Sequence, residues 1–265
     1  MYSRPTGPRS IGAVLDDAVR LYRESFRAIL PLLIVSAVLA LVPTLVLGVN
    51  STFGATQAER MNALLRLMTS PSYWITMMVM WVVNLVLYGA LFGAIDAVAR
   101  GERMGFGAAV QLGLSRLPTM FVVALLFGLA IGIGFCLLVI PGIYLMGVFQ
   151  LVFIAVILEK AGIFGAFGAS FHLIKGYWWR STVIVTVAVI VLVVLGILLS
   201  VVAGFLTVLS VGAGTLLVVN QAVSALLNIV IVGWMPCVLL AMYYDLKLRH
   251  EGQDLASRVD ALAPR

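Results

Sequence analysis

Charge is what this chain has least of. Of its 265 residues 11% are Asp, Glu, Lys or Arg, while 63% are hydrophobic and the mean hydropathy is +1.14. A soluble domain carries roughly 25% charged residues, so an ordinary water-facing fold is excluded and lipid is the expected surrounding. Histidine is scarce too. The two present, His172 and His250, belong to no HExxH or similar metal spacing. No Gly-Lys-Ser/Thr phosphate loop and no nucleophile–base signature is present, so no catalysis, cofactor or metal is expected. The two cysteines, Cys136 and Cys237, fall in apolar stretches and read as small packing residues. Basic residues flank the apolar runs instead of forming one patch, so nucleic acid is not an expected partner. The opening MYSRPTGPRS lacks the apolar core of a cleaved signal, and the first span is expected to serve as the insertion signal.

The charges that are present show how the chain threads the membrane. Residues 28–58, 67–95, 117–158 and 181–244 carry none, giving runs of 31, 29, 42 and 64 residues. A spanning helix needs about 20 apolar residues. The first two runs therefore hold one span each. The third holds two, broken at Ile140-Pro141-Gly142, and the fourth holds two around the Gly/Ser/Thr-rich stretch Thr207 to Thr215. Spans are predicted near 28–48, 73–97, 118–139, 142–159, 182–205 and 217–246. With this assignment alternate compartments hold fifteen and two Lys or Arg residues. By the positive-inside rule both termini face the cytoplasm. The fold class is thus an all-α integral membrane protein of six transmembrane helices. It divides into a cytoplasmic N-terminal segment (1–27), the transmembrane domain (28–246) and a cytoplasmic tail (247–265).

Each predicted cytoplasmic segment before spans 1, 3 and 5 carries an amphipathic pattern. In residues 11–26, Ile11, Val14, Leu15, Ala18, Leu21, Tyr22 and Phe26 share one face, opposite Asp16, Asp17, Arg20, Arg23, Glu24 and Arg27, with Ser10 placed to cap. Residues 105–117 and 162–180 are weaker copies. All three are expected to lie in the membrane interface. They align as Leu15-x-x-Ala18-x-x-Leu21, Phe106-x-x-Ala109-x-x-Leu112 and Phe167-x-x-Ser170-x-x-Leu173. Each is followed by a pair of spans that ends in an acid, Asp96, Glu159 or Asp245, with a base close behind. This suggests a three-fold repeat of interfacial helix plus helical hairpin. The basic residues Arg20, Arg23, Arg27, Lys175 and Arg180 are the expected contacts to anionic headgroups on the cytoplasmic face.

Polar groups inside spans are the other candidates for function, because lipid cannot satisfy them. Asn84 and Gln150 fall near mid-depth in spans 2 and 4, and Asn220, Gln221, Ser224 and Asn228 lie in span 6. They serve either as packing glue between helices or as the lining of a polar path. Asp96, Glu159 and Asp245 are expected at the cytoplasmic border, reached by water and paired with neighbouring bases. Gly89-x-x-x-Gly93 in span 2 and Gly128-x-x-x-Gly132 in span 3 suit close helix packing. Trp74 outside and Tyr177-Trp178-Trp179 and Tyr243-Tyr244 inside fit an aromatic belt.

Three stretches carry a family resemblance: IGAVLDDAVRLYRESFRAILPLLI, LLVIPGIYLMGVFQLVFIAVILEKAGIFGAFGASFHLIKGYWWR and CVLLAMYYDLKLRHEGQDL. Together they resemble the membrane domain attached to some bacterial glycerophosphoryl diester phosphodiesterases and its stand-alone YciC-like inner-membrane relatives. The resemblance implies six spans in a bacterial inner membrane with cytoplasmic termini. It does not imply phosphodiesterase activity, which resides in a separate domain that this chain has no room for. Two functions follow. One is a non-enzymatic inner-membrane protein that engages lipids or organises partners. The other is a transporter or channel-like protein for a lipid or small neutral solute, built on the amides of spans 2, 4 and 6.

Overall fold

The computed structural model of the chain describes residues 7–46, 57–209 and 213–262. Among these the regular elements are all helices: α1 (Ile11–Val46), α2 (Gln57–Thr69), α3 (Pro71–Ala99), α4 (Phe106–Leu137), α5 (Val139–Phe149), α6 (Val152–Leu158), α7 (Ile163–Ile174), α8 (Trp178–Leu209) and α9 (Ala213–Leu262). Six segments are long and apolar enough to cross a membrane: α1, α3, α4, α5 with α6, α8 and α9. The protein is a polytopic helical membrane protein.

Helix starts follow local chemistry. The Ser10 hydroxyl accepts from the Ala13 N–H at 3.2 Å and its carbonyl from the Val14 N–H at 3.0 Å, which caps α1 as expected. The turn after α3 places Gly101 at φ +78, a left-handed conformation open to glycine. The break between spans 3 and 4 comes at Leu138, earlier than predicted, and Pro141 sits in the first turn of α5. There its missing N–H has no intrahelical partner to lose. Pro236 lies inside α9, within a helix of 50 residues. Of the turn expected over 207–215, residues 207–209 close α8 and 213–215 open α9, and 210–212 lie outside the described residues. Also outside are 47 and 48 of the first predicted span, 1–6 of the N-terminal segment and 263–265 of the tail.

The amphipathic segments depart from the expectation of separate interfacial helices. Residues 11–26 form the first turns of α1, and 106–117 those of α4, each continuous with its span. The apolar face of the first goes into the protein, whereas at the start of α4 only Ala109 and Gly113 are buried and Phe106 and Leu114 stay exposed. Val14, Ala18 and Leu21 are buried in the main core, and α1 packs most extensively on α9. Only the third copy stands as a helix of its own, α7. The small central residue of each copy, Ala18, Ala109 or Ser170, is fully buried.

Span 4 is interrupted at Gln150 and Leu151. The buried Ser170 of α7 bridges the gap: its hydroxyl donates to the Val148 carbonyl at 2.8 Å and accepts from the Leu151 N–H at 3.3 Å. Lys160, just past α6, adopts φ +54, and the Ala161 N–H returns to the Ala155 carbonyl at 3.1 Å. This turns the chain back along α6, against which α7 packs.

The core occupies one end of the bundle. In α3 every buried residue lies between Leu85 and Ala99, and none in the first half. In α9 the buried stretch is Gly233 to Leu246. Elsewhere α8 presents Val189, Ile190, Val193, Val194, Ile197 and Leu198 to the outside, a surface that only lipid or another apolar partner can cover. Gly89 and Gly93 meet α4 through Met120 and Leu112, whereas Gly128 and Gly132 face open space.

Candidate functional site

Successive residues of a helix diverge by about 100° around its axis. Three consecutive polar residues can therefore all be buried only where a helix is surrounded. Tyr243, Tyr244 and Asp245 of α9 are 3%, 7% and 1% exposed, and each meets a different part of the molecule. The Tyr244 hydroxyl donates to Asp96 at the end of α3, whose other oxygen lies 3.1 Å from the Arg100 guanidinium. The Tyr243 hydroxyl donates to Glu159 at 2.8 Å. The Lys247 ammonium donates in turn to that hydroxyl at 3.2 Å and lies 3.8 Å from the same carboxylate. Asp245 receives three groups: Arg180 at 2.9 Å, Arg249 at 2.9 Å and the backbone N–H of Arg9 at 2.7 Å.

The three border acids thus converge on one helix turn. They differ from the water-reached border residues expected, since Asp245 and Asp96 are buried. A base four residues on is a partner for Asp96, through Arg100, and for Asp245, through Arg249. Glu159 pairs with Lys247 and not Lys160, and Asp245 takes Arg180 and Arg249. A lone buried carboxylate is unstable unless paired and hydrogen-bonded; charge-assisted bonds from two guanidinium groups and an N–H meet that need at Asp245. Both guanidinium groups also donate to the Arg9 carbonyl at 2.6 Å, and the Arg9 side chain lies 3.6 Å from Asp17. The segment before α1 is thereby pinned to α8 and α9. Tyr243 and Tyr244 are buried donors here, not members of an interfacial belt, because α9 runs between α1, α3, α7 and α8.

Beyond the charged turn, the His250 ring lies 5.1 Å from that of His172, and its Nε2 is 3.0 Å from the Leu173 carbonyl. A carbonyl only accepts, so Nε2 carries the proton. Tyr177 meets His250 edge-on, and the Arg249 guanidinium sits 5.6 Å over the Tyr177 ring. These contacts tie the end of α7 to α9. Among the described residues no group of three or more His, Cys, Asp or Glu is placed to hold a metal.

The intramembrane candidates are not brought together. The Asn84 amide donates to the Met80 carbonyl of its own helix at 2.8 Å and is exposed. Gln150 sits at the span 4 break, its Nε2 buried without a hydrogen-bond partner among the described residues. Gln221 is half-buried and Ser224 exposed; the side chain of Asn220 lies outside the described residues. Asn228 is engaged across helices, accepting from the Ser36 hydroxyl of α1 at 3.0 Å. Of the headgroup candidates, Arg20, Arg23, Arg27 and Lys175 are exposed. Arg180 is not free for lipid, because its guanidinium is taken by Asp245.

No known family model matches the chain, and no solved structure matches it. Sequence reasoning missed Arg9, Asp17 and Arg249 as parts of the cluster, and Ser36 and Ser170 as buried bridges. One signal was available: two tyrosines and an acid in a row at the end of a span, with two bases in the next turn.

Proposed function

We propose that this membrane protein is non-enzymatic and engages anionic lipid at the Asp245 end of the bundle, on the cytoplasmic side of a bacterial inner membrane. One observation carries the reading. A single exposed stripe runs along α1 through Asp16, Arg20, Arg23 and Arg27 to Pro31, Ile34 and Val38. From Arg27 to Pro31 it changes from charged, with three arginines, to apolar within about one turn of an unbroken helix. That suits a membrane surface, with phosphates meeting the guanidinium groups and acyl chains meeting Ile34 and Val38. The resemblance to the phosphodiesterase membrane domain belongs to the same proposal and adds no catalytic role. Passage of a lipid or neutral solute along the span amides has less support, since Asn84 bonds its own helix and Asn228 is held by Ser36.

Each basic residue near an anionic surface contributes about 1 kcal/mol, so three contribute about 3 kcal/mol at low salt, falling as salt screens them. The test uses the intact protein purified with an equal mixture of phosphatidylglycerol and phosphatidylcholine. Native mass spectrometry is expected to find the anionic lipid enriched on the wild type. That enrichment is expected to vanish in the triple variant Arg20→Gln, Arg23→Gln, Arg27→Gln. Equal retention of both lipids by the wild type would overturn the reading.

A further inference from the structure

The segment between spans 1 and 2 contains a helix, α2, that leaves three large apolar side chains more than half exposed among the described residues. Met61, Leu65 and Met68 are 55%, 54% and 54% exposed. Their spacing of four and three residues places them on one face. Glu59, Asn62 and Arg66 form a second stripe about a third of the way round the helix. We propose that α2 is a surface helix of the lipid bilayer, lying along the leaflet opposite the Asp245 end with Met61, Leu65 and Met68 in the acyl-chain boundary. This does not rest on the lipid reading of the α1 stripe.

Two further observations place lipid there. The first is the elbow into α3. Ser70 is extended at φ −81, ψ 127 and Pro71 opens α3, and proline disfavours a helical residue before it, so α2 cannot continue the axis of the span. The Trp74 indole N–H donates to the Met68 carbonyl at 2.8 Å, satisfying a terminal carbonyl that α2 itself leaves open. The Thr69 hydroxyl donates to the Leu65 carbonyl at 3.1 Å. The bend is therefore held at the foot of the span. α3 is about 44 Å long at 1.5 Å per residue and ends at Asp96 and Arg100, so this elbow stands at the other face of the membrane.

The second is continuity. The exposed face of α2 leads into Trp74, Ile75, Met78 and Val79, which are 62%, 65%, 54% and 51% exposed at the start of α3. That surface belongs to a membrane-crossing segment, so its covering is acyl chain, and the α2 stripe meets the same medium at its edge. A tryptophan at the junction, apolar in its ring and polar at its N–H, is suited to the headgroup boundary.

The test replaces Cys136 and Cys237 by alanine, introduces single cysteines at 59, 61, 62, 65, 66 and 68, and attaches nitroxide labels in the full chain reconstituted in phosphatidylcholine vesicles. Collision with oxygen is expected to exceed collision with a water-soluble nickel chelate severalfold at 61, 65 and 68, with the reverse at 59, 62 and 66. Equal access of the chelate to all six positions would overturn the proposal. So would exclusion of both reagents from 61, 65 and 68, which would mean that a second copy or another protein covers the face. A check with the native cysteines compares wild type with Trp74→Phe. The fluorescence lost in the variant is expected to be quenched by lipids brominated near the headgroup. Quenching of that component by aqueous iodide alone would count against the proposal.

Discussion

Asp245 is 1% exposed, with two guanidinium groups at 2.9 Å, so its charge has nowhere to go if a partner is lost. Breaking a buried ion pair by removing one member costs about 3–5 kcal/mol, because the remaining charge is left uncompensated. Asp245→Asn would strand Arg180 and Arg249 together, and is expected to lower stability by that order. Glu159 is more open and its ion pair with Lys247 is longer, at 3.8 Å. Exposed pairs contribute about 0–1 kcal/mol, so Glu159→Gln is expected to be mild. Thermal unfolding of the purified variants in one detergent checks the order. Equal losses would mean that the buried clamp contributes no more than a surface pair.

At the scale of elements, continuity and interruption both have local causes. α1 and α4 run through the predicted membrane border without a break. Their amphipathic starts bury small residues, Ala18 and Ala109, against neighbouring helices, and the same helix carries on into lipid. Span 4 behaves in the opposite way, stopping at Gln150 and Leu151 and depending on Ser170 for the freed backbone groups. An unsatisfied buried donor or acceptor costs about 1–3 kcal/mol. Ser170→Ala exposes one of each, at Leu151 and Val148. It is expected to destabilise the protein by about 2 kcal/mol, whereas Ser115→Ala, on an exposed hydroxyl that bonds its own helix, is expected to change little. Unfolding midpoints of the two variants decide it. A silent Ser170→Ala would show that the break is satisfied in another way.

Among the described residues the bundle is closely packed at one end and presents exposed apolar side chains away from it. The buried halves of α1, α3 and α9 gather around the Tyr243–Asp245 turn, while α8, the outer part of α4 and the start of α3 present apolar surface. Such a division suits a bundle whose charged end stays outside the hydrocarbon region and whose remainder is solvated by acyl chains. The basic residues divide fifteen to two between alternate compartments. Reporter fusions after Arg66, between spans 3 and 4 and near Ala213 are therefore expected to read periplasmic. Fusions after Arg103, Lys175 and Arg258 are expected to read cytoplasmic. A cytoplasmic signal after Arg66 would refute the six-span threading and would put α2 on the other leaflet.

Composition and charge spacing by themselves determined the helical membrane class, the six apolar segments and the cap at Ser10. These depend on short-range quantities, namely transfer of side chains into lipid and hydrogen bonds within one turn, and a linear chain displays both. The acids Asp96, Glu159 and Asp245 were legible as candidates in the same way, since a charge at the edge of an apolar run stands out. The base four residues on was within reach of the same reading for Asp96 and Asp245, but the distant partners were not. Arg180 lies 65 residues from Asp245 and Tyr244 lies 148 from Asp96, and only the packing of α9 among α1, α3, α7 and α8 brings them within bonding distance. The break in span 4 was hidden for the same reason, because the hydroxyl that sustains it belongs to α7. The fate of the amphipathic faces was equally a tertiary matter. An apolar stripe can be covered by a protein groove or by an acyl layer, and what folds alongside decides which: α9 covers the start of α1, whereas Met61, Leu65 and Met68 of α2 stay more than half exposed among the described residues.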